Sequence, residues 1–182
     1  MIYMDNAATT AVLPEVLDKM IPYYKDIYSN PSAIYSFAQK SRNAVEDARA
    51  VIADTLKVSP NEIYFTGGGS ESDNWALKLV ADKYKDKGKH IITTDIEHHA
   101  ILHTAEYLEK QGFDVTYIRP DNSGVISPDK VLDAIRPDTV LISVMLANNE
   151  VGTIEPIAEI GKLAHERGII VHTDAVQAYG HI

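Results

Sequence analysis

Residues 139–152 read TVLISVMLANNEVG, a short apolar run followed at once by two asparagines and a glutamate. The apolar part, residues 140–145, has the length and composition of a β-strand. Four comparable runs occur elsewhere in the chain, at residues 63–66, 90–94, 115–118 and 169–172. We therefore predict five strands.

Helical patterns separate the strand-like runs. We predict helices over residues 14–24, 36–56, 70–85, 98–111, 127–135 and 156–167. A repeated order of strand, helix and strand implies parallel pairing, with helices packed on the faces of the sheet. The predicted fold class is α/β, in one domain whose residues 1–60 form a helical segment that leads into a βα core over residues 61–182.

The composition excludes several classes of protein. The chain is 45% hydrophobic and 24% charged, and its formal net charge of -9 argues against nucleic acid or an anionic membrane as a partner. It contains no cysteine, which excludes disulfides and thiolate metal sites and fits a reducing cytoplasm. The first residues lack the pattern of a signal peptide, and no run of about 18 apolar residues occurs. We expect a soluble, cytoplasmic protein.

In a parallel sheet, ligands bind beyond the carboxyl ends of the strands. That rule points to residues 67–72, 95–99, 147–152 and 174–177. The first of these segments, GGGSES, leads from glycines into a helix. Backbone N–H groups at such a turn can approach an anion closely, and Ser70 adds a hydroxyl. Taken alone, a turn of this kind is more often only a tight connection between a strand and a helix.

Three histidines follow the strand at residues 90–94. His99 and His103 are four residues apart, so on a helix they would share a face and could bind a metal. His98 begins the helix and could present its flat ring to a ligand. Each histidine could instead be a partly exposed helix residue, and for His103 we favour that interpretation.

Two carboxamides and a carboxylate follow the strand at residues 140–145. Asn148, Asn149 and Glu150 are costly to place beside a buried strand unless they form hydrogen bonds. They could contact a ligand, or they could hold the backbone of their own loop. The second interpretation suits Asn148 and Glu150.

Asp174 follows the last predicted strand, with Gln177 in the next turn. An ionised aspartate at the end of a buried strand requires a positive partner, such as a metal or a protonated ring nitrogen. It could also simply cap a helix that starts at Ala175. Together, a phosphate turn, a ring-stacking histidine, amide donors and a carboxylate suit pyridoxal 5′-phosphate (PLP), whose ring nitrogen is kept protonated by a carboxylate.

The motifs resemble, in order and spacing, the N-terminal part of NifS/IscS-type cysteine desulfurases, which are class V members of the fold-type I PLP enzymes. The similar segments are YMDNAATT at 3–10, NPS at 30–32, GSESDN at 69–74, EH at 97–98, ANNEVG at 147–152 and HTDAVQA at 172–178. The resemblance extends over essentially the whole chain. It implies an incomplete fold-type I large domain, with a mostly parallel sheet, flanking helices and no small C-terminal domain.

The resemblance also implies a role for individual residues. It gives cofactor contacts to six positions: Gly69 and Ser70 at the phosphate, His98 stacked on the ring and active in proton transfer, Asp174 at the ring nitrogen, Gln177 at the phenolic oxygen, and Asn149 near the same edge. In the family, PLP serves to take sulfur from L-cysteine, leaving alanine and a persulfide for iron–sulfur cluster or thio-cofactor assembly.

The chain departs from the family pattern in two ways. Tyr35, Ala38 and Glu155 stand where the family usually has histidine, glycine and glutamine, so we expect an altered pocket rim or substrate. In the family, the lysine that forms the Schiff base, the persulfide cysteine and the arginine for the substrate carboxylate all lie further along than residue 182. No lysine of this sequence follows a strand in the predicted pocket.

We therefore expect a truncated or split cysteine desulfurase that is inactive alone and binds PLP weakly or not at all. The resemblance implies L-cysteine or a related amino acid as substrate, a homo-oligomer, and a complementary C-terminal half if the enzyme is split. A non-catalytic module that binds PLP or phosphate, or that serves in association, is the alternative. A metal-dependent hydrolase using His98 or His99 with His172 and Asp174 is the third hypothesis.

Overall fold

The structure is a computed structural model that describes residues 2–182, and the chain divides into two compact units. The first unit ends at Phe65 and the second runs from Thr66 to Ile182. The first contains helix α1 (Pro14–Lys25), helix α2 (Ser36–Leu56) and one 3-10 turn (Pro60–Glu62). No helix within residues 2–182 has both the length and the apolar character needed to cross a membrane.

The second unit alternates helices with strands. Its elements are α3 (Gly69–Tyr84), β1 (His90–Thr94), α4 (His99–Lys110), β2 (Asp114–Ile118), α5 (Pro128–Ala134), β3 (Thr139–Ser143), α6 (Ile157–His165) and β4 (Ile170–His172). The strands form one sheet in the order β2-β1-β3-β4, and every pairing is parallel. The predicted α/β class with a parallel sheet is confirmed.

Helices cover both faces of this sheet because successive side chains on a strand point to opposite faces. Ile91 and Leu141 pack with α3 and α4 in one buried cluster. Their neighbours Ile92 and Ile142 pack with α5 and α6 in a second cluster. The strands are therefore apolar on both sides, as in other parallel sheets.

A buried histidine at the amino end of β1 links three strands. His90 begins β1 and is fully buried, with Nδ1 2.7 Å from the hydroxyl of Thr139 on β3 and Nε2 2.9 Å from that of Thr116 on β2. Burial lowers the pKa of His90, and the nearby Arg136 acts in the same direction. A neutral ring can satisfy both contacts as one donor and one acceptor.

The prediction of a strand at residues 63–66 was wrong. Ile63 has extended dihedral angles, but within residues 2–182 this segment pairs with no other strand, and pairing is what defines a strand. The strand predicted to continue to Met145 ends at Ser143. Beyond Ser143 the backbone still donates to the β4 side through the N–H groups of Val144 and Leu146, while the N–H of Met145 donates to the side chain of Glu97.

Candidate active site

Three neighbouring strands end at the same edge of the sheet, and polar residues follow each of them. Because β1, β3 and β4 are parallel, their carboxyl ends bring residues 95–98, 144–152 and 173–177 to one edge. Two of these segments touch through the backbone, since the N–H of Leu146 donates to the carbonyl of Asp174 at 2.8 Å. This edge is the candidate site.

Asp174 is a buried carboxylate with one oxygen engaged. It is only 8% exposed, and its Oδ1 accepts a 2.9 Å hydrogen bond from the N–H of Val176. Among the described residues, its Oδ2 accepts no hydrogen bond. Residues from Val176 form turns rather than the helix that a capping role would require. Gln177 lies in these turns, as predicted, and its side chain is exposed. Asp174 thus shapes its turn and keeps one oxygen available for a cation.

Glu97 is a second buried acid at this edge. Its Oε1 accepts hydrogen bonds from the hydroxyl of Thr94 at 2.7 Å and from the N–H of Met145 at 3.0 Å, so it joins the ends of β1 and β3. Its Oε2 is buried and has no hydrogen-bond partner within residues 2–182. Burial raises the pKa of Glu97 to about 7, and the negative charges of Asp174 and Asp73 add to the effect.

His172 belongs to a buried polar row beneath the site. Its Nδ1 lies 2.9 Å from the hydroxyl of Ser143 on β3, and its Nε2 lies 3.6 Å from Oδ1 of Asp73 on α3. Asp73 and Ser143 are both buried. The glycine turn leads into α3, and Asp174 follows β4. The contacts of His172 therefore link the two elements that position these parts of the site.

The glycine turn at residues 67–69 leads into the N-terminus of α3. The N–H groups of Glu71 and Ser72 donate to the carbonyl of Gly68, whereas those of Gly69 and Ser70 donate to no backbone carbonyl among the described residues. Ser70 is exposed. Free N–H groups at a helix N-terminus favour an anion. The turn can therefore take a phosphate.

Gly69 allows the glycine turn to approach the turn that follows Asp174. A Cβ atom added at Gly69 would lie 2.5 Å from Cγ2 of Val176, closer than any real contact of a Cβ atom. The free N–H groups of α3 and the buried carboxylate are thereby neighbours in space. A ligand with an anionic group at one end and a cationic group at the other suits this pair.

The histidines after β1 divide into two kinds. His98 is exposed and caps α4, because its Nδ1 accepts a 3.1 Å hydrogen bond from the N–H of Ala100. Its ring is thus fixed at Nδ1 and open to a ligand. His99 and His103 stack with ring centroids 5.4 Å apart. Within residues 2–182, no group of three metal-binding side chains occurs.

The loop after β3 separates its two asparagines. Asn148 is buried: its Nδ2 donates to the carbonyl of Ile96 at 2.8 Å, and its Oδ1 accepts from the N–H groups of Glu150 and Val151. It therefore holds its own loop against the β1 loop, as the second interpretation of the sequence required. Asn149 is exposed beside it and remains available to a ligand.

The three departures from the family pattern lie in different places. The carboxylate of Glu155 is buried and accepts a 2.7 Å hydrogen bond from the N–H of Ile126, so it supports a loop. Tyr35 and Ala38 belong to the first unit, where Tyr35 is exposed and Ala38 is buried in α2. Their predicted influence on a substrate stays a prediction.

Sequence reasoning did not assign a role to two of the buried acids, Asp73 and Glu97. A signal for Asp73 was present, because residues 73, 77 and 81 form one helical stripe in which Leu77 and Ala81 are apolar. An acid in such a stripe is buried and must find a polar partner. Glu97 belongs to the EH motif at 97–98, but its burial had no comparable signal, because Thr94 and Met145 become its hydrogen-bond partners only in the folded sheet.

Comparison with known proteins gives matches along the whole chain. The aminotransferase class-V family model matches residues 2–182. A cysteine desulfurase IscS of Methanosarcina thermophila is 57% identical over all of this chain, which covers 45% of that protein. A putative cysteine desulfurase IscS 1 of Bacillus subtilis is 51% identical over 98% of the chain and 47% of its own length. The chain thus spans about half the length of the relatives it matches.

Solved structures match equally well. A NifS-like protein superimposes with a TM-score of 0.96 at 42% identity, over all of this chain and 50% of its own. A structure described as SspA in complex with cysteine gives a TM-score of 0.93 at 48% identity, over 97% of this chain and 51% of its own. The sheet and its flanking helices therefore have the architecture of the fold-type I large domain.

The pKa of Glu97 makes the stability of the protein depend on pH. The carboxyl titrates at 4.5 in an unfolded chain and at about 7 in the fold, so the folded state holds more protons between these values. The contribution of Glu97 to the free energy of unfolding should fall as pH rises from 4.5 to about 7 and then level, by at most about 3 kcal/mol. Urea denaturation at a series of pH values measures this change.

The matched control is Glu97→Gln, which keeps an oxygen acceptor for Met145 and cannot ionise. The free energy of unfolding of this variant should lack the fall with pH that Glu97 causes. The variant should therefore be more stable than the wild type at pH 8. Parallel stability curves for the two proteins across this range would contradict the assignment of the raised pKa to Glu97.

Proposed function

Because the chain belongs to the aminotransferase class-V family, we propose that it forms the cofactor-docking part of a PLP-dependent cysteine desulfurase. One observation supports the proposal most strongly. The buried carboxylate of Asp174, which has a hydrogen bond at Oδ1 and none at Oδ2 among the described residues, lies near the free N–H groups at the start of α3. PLP carries a phosphate at one end and a ring nitrogen at the other, and this pair of groups suits both. The IscS and NifS-like relatives agree with it.

The phosphate end of the proposed site uses the N-terminus of α3. The N–H groups of Gly69 and Ser70, with the Ser70 hydroxyl, would hold the phosphate oxygens. The positive end of the helix dipole adds to this attraction. The carboxylate of Glu71 accepts a hydrogen bond from the N–H of Gly67, which stabilises the turn.

The ring end uses residues from two other strand ends. Asp174 would face the ring nitrogen and hold its proton, while the exposed ring of His98 would stack on the cofactor. Gln177 and Asn149 are exposed amides that could donate to the phenolic oxygen and to the substrate edge. When bound, PLP supplies the electron sink for breaking bonds next to the amino group of an amino acid.

We propose L-cysteine as the amino acid, with alanine and a persulfide as the products of the complete enzyme. The IscS relatives are named as cysteine desulfurases, and the SspA structure is described as a complex with cysteine. The whole activity is a proposal because this chain spans about half the length of such proteins. A homodimer and a cytoplasmic location are part of the same proposal.

The lysines of the second unit lie on helices or in the segment between α3 and β1, and none follows the carboxyl end of a strand. They are Lys78 and Lys83 on α3, Lys85, Lys87 and Lys89 between α3 and β1, Lys110 on α4, Lys130 on α5 and Lys162 on α6. Lys130 donates to the carbonyl of Arg119, beyond β2. β2 and β4 are the two outer strands of the sheet, with β1 and β3 between them. At about 4.8 Å per strand, the carbonyl that Lys130 contacts lies roughly 14 Å from the end of β4, which Asp174 follows.

Binding of PLP tests the role of Asp174. We expect a polypeptide of these 182 residues to bind PLP weakly and without a covalent bond, and Asp174→Asn to weaken binding roughly tenfold by removing the charge at the ring nitrogen. Absorbance titration measures the affinity. Asp133→Asn on α5 is the matched control, since Asp133 is exposed. Equal affinities for the two variants would refute the role of Asp174.

Turnover tests the role of the lysine. A polypeptide of residues 1–182 should produce no alanine or sulfide from L-cysteine above a control with PLP alone, because no lysine of the second unit follows the carboxyl end of a strand at the candidate site. Borohydride reduction followed by peptide mapping is the second measurement. Desulfurase turnover, or cofactor fixed to a lysine within these residues, would contradict the proposal. Binding without turnover is equally the behaviour of the alternative, a non-catalytic PLP- or phosphate-binding module.

A further inference from the structure

The candidate site contains three buried carboxyl groups and few basic groups to neutralise their charge. Asp73, Glu97 and Asp174 are 3%, 5% and 8% exposed. No lysine or arginine of residues 66–182 forms a hydrogen bond or ion pair with any of them in the structure. Within residues 66–182, the basic group that contacts one of these acids is His172, whose Nε2 lies 3.6 Å from Oδ1 of Asp73. Burying carboxylates without a cation is costly, so one of these acids has reason to stay neutral.

Glu97 and Asp174 are joined through two consecutive peptide groups. The N–H of Met145 donates to the side chain of Glu97 at 3.0 Å, and the N–H of Leu146 donates to the carbonyl of Asp174 at 2.8 Å. Each side chain keeps one oxygen without a partner among residues 2–182. The two acids therefore sit on the same short segment, and each can sense the charge of the other.

We propose that Glu97 and Asp174 hold one negative charge between them in the unliganded protein, and that Glu97 releases its proton when a cationic ring docks against Asp174. The proton passes to solvent, and the ionised Glu97 then adds a second negative charge beside the bound cation. Glu97 is thus a positioning residue for the cofactor ring that acts through its charge. This inference rests on the proposed function, because the cationic ring is that of the cofactor.

The groups around Glu97 support this division of charge. Thr94 on β1 and the N–H of Met145 after β3 are neutral donors, while Asp73 on α3 and Asp174 after β4 are acids. Burial is the largest cause of the raised pKa of Glu97, and the two aspartates add to it. A cation at the free oxygen of Asp174 would act in the opposite direction.

The unliganded protein gives the first test. Carbon-detected NMR of the side-chain carboxyls follows the titration of Glu97, which Glu97→Gln assigns. Asp174→Asn keeps the acceptor for Val176 and removes one charge, so the Glu97 transition should move down by about one pH unit. Asp133→Asn is the control for a charge removed elsewhere and should leave it in place. A transition that does not move in Asp174→Asn would overturn the shared charge.

Ligand binding gives the second test. The probe is pyridoxamine 5′-phosphate, which has the ring and phosphate of the cofactor and no aldehyde to react with a lysine. Calorimetry at about pH 6 in two buffers of different ionisation enthalpy counts the protons released. The wild type should release up to about one proton more than Glu97→Gln. Equal proton counts would refute the inference, whereas no binding by either protein would refute the proposed function, and the carboxyl titration would still decide the shared charge.

Discussion

The parallel pairing of β3 with β1 on one side and β4 on the other is the constraint on which the rest of the site depends. Parallel strands place all their carboxyl ends at one edge, and here this edge receives Glu97, Asn148 and Asp174. The pairing is stable because Leu141 and Ile142 point to opposite faces and each is buried under helices. With an apolar core on both faces, the acids of the site stand beyond the ends of the strands.

At that edge of the sheet, several acidic side chains are buried and few basic side chains contact them. A buried carboxylate costs free energy unless hydrogen bonds or a cation offset it. The hydrogen bonds to Glu97 and Asp174 offset part of this cost and leave an oxygen of each without a partner. The remaining cost favours a positively charged ligand group near these acids. The N-terminus of α3, a short distance away, favours a negatively charged group. The two ends of the site therefore prefer ligand groups of opposite charge.

The fold was largely predictable from local patterns, and the site only in part. Helix α2 and strand β1 have the predicted limits because their periodicity and apolar content are decided within the segment. The segment at 63–66 has the composition of a strand and pairs with none among the described residues, since pairing depends on distant parts of the chain. Asp174 and the glycine turn were visible as motifs, and so was the pair Glu97-His98. The burial of Glu97 and its bond to Met145 were not visible, because they arise only when β1 and β3 pair.

We propose that the start of α3 and the ends of β1 and β4 form one binding site for PLP. Amide NMR spectra recorded with increasing pyridoxamine 5′-phosphate provide the test. We expect the largest shifts to fall together on Gly69 and Ser70, on His98, and on Val176 and Gln177, with one common affinity. Shifts confined to one of these segments, or centred on the amino ends of the strands near His90, would contradict it.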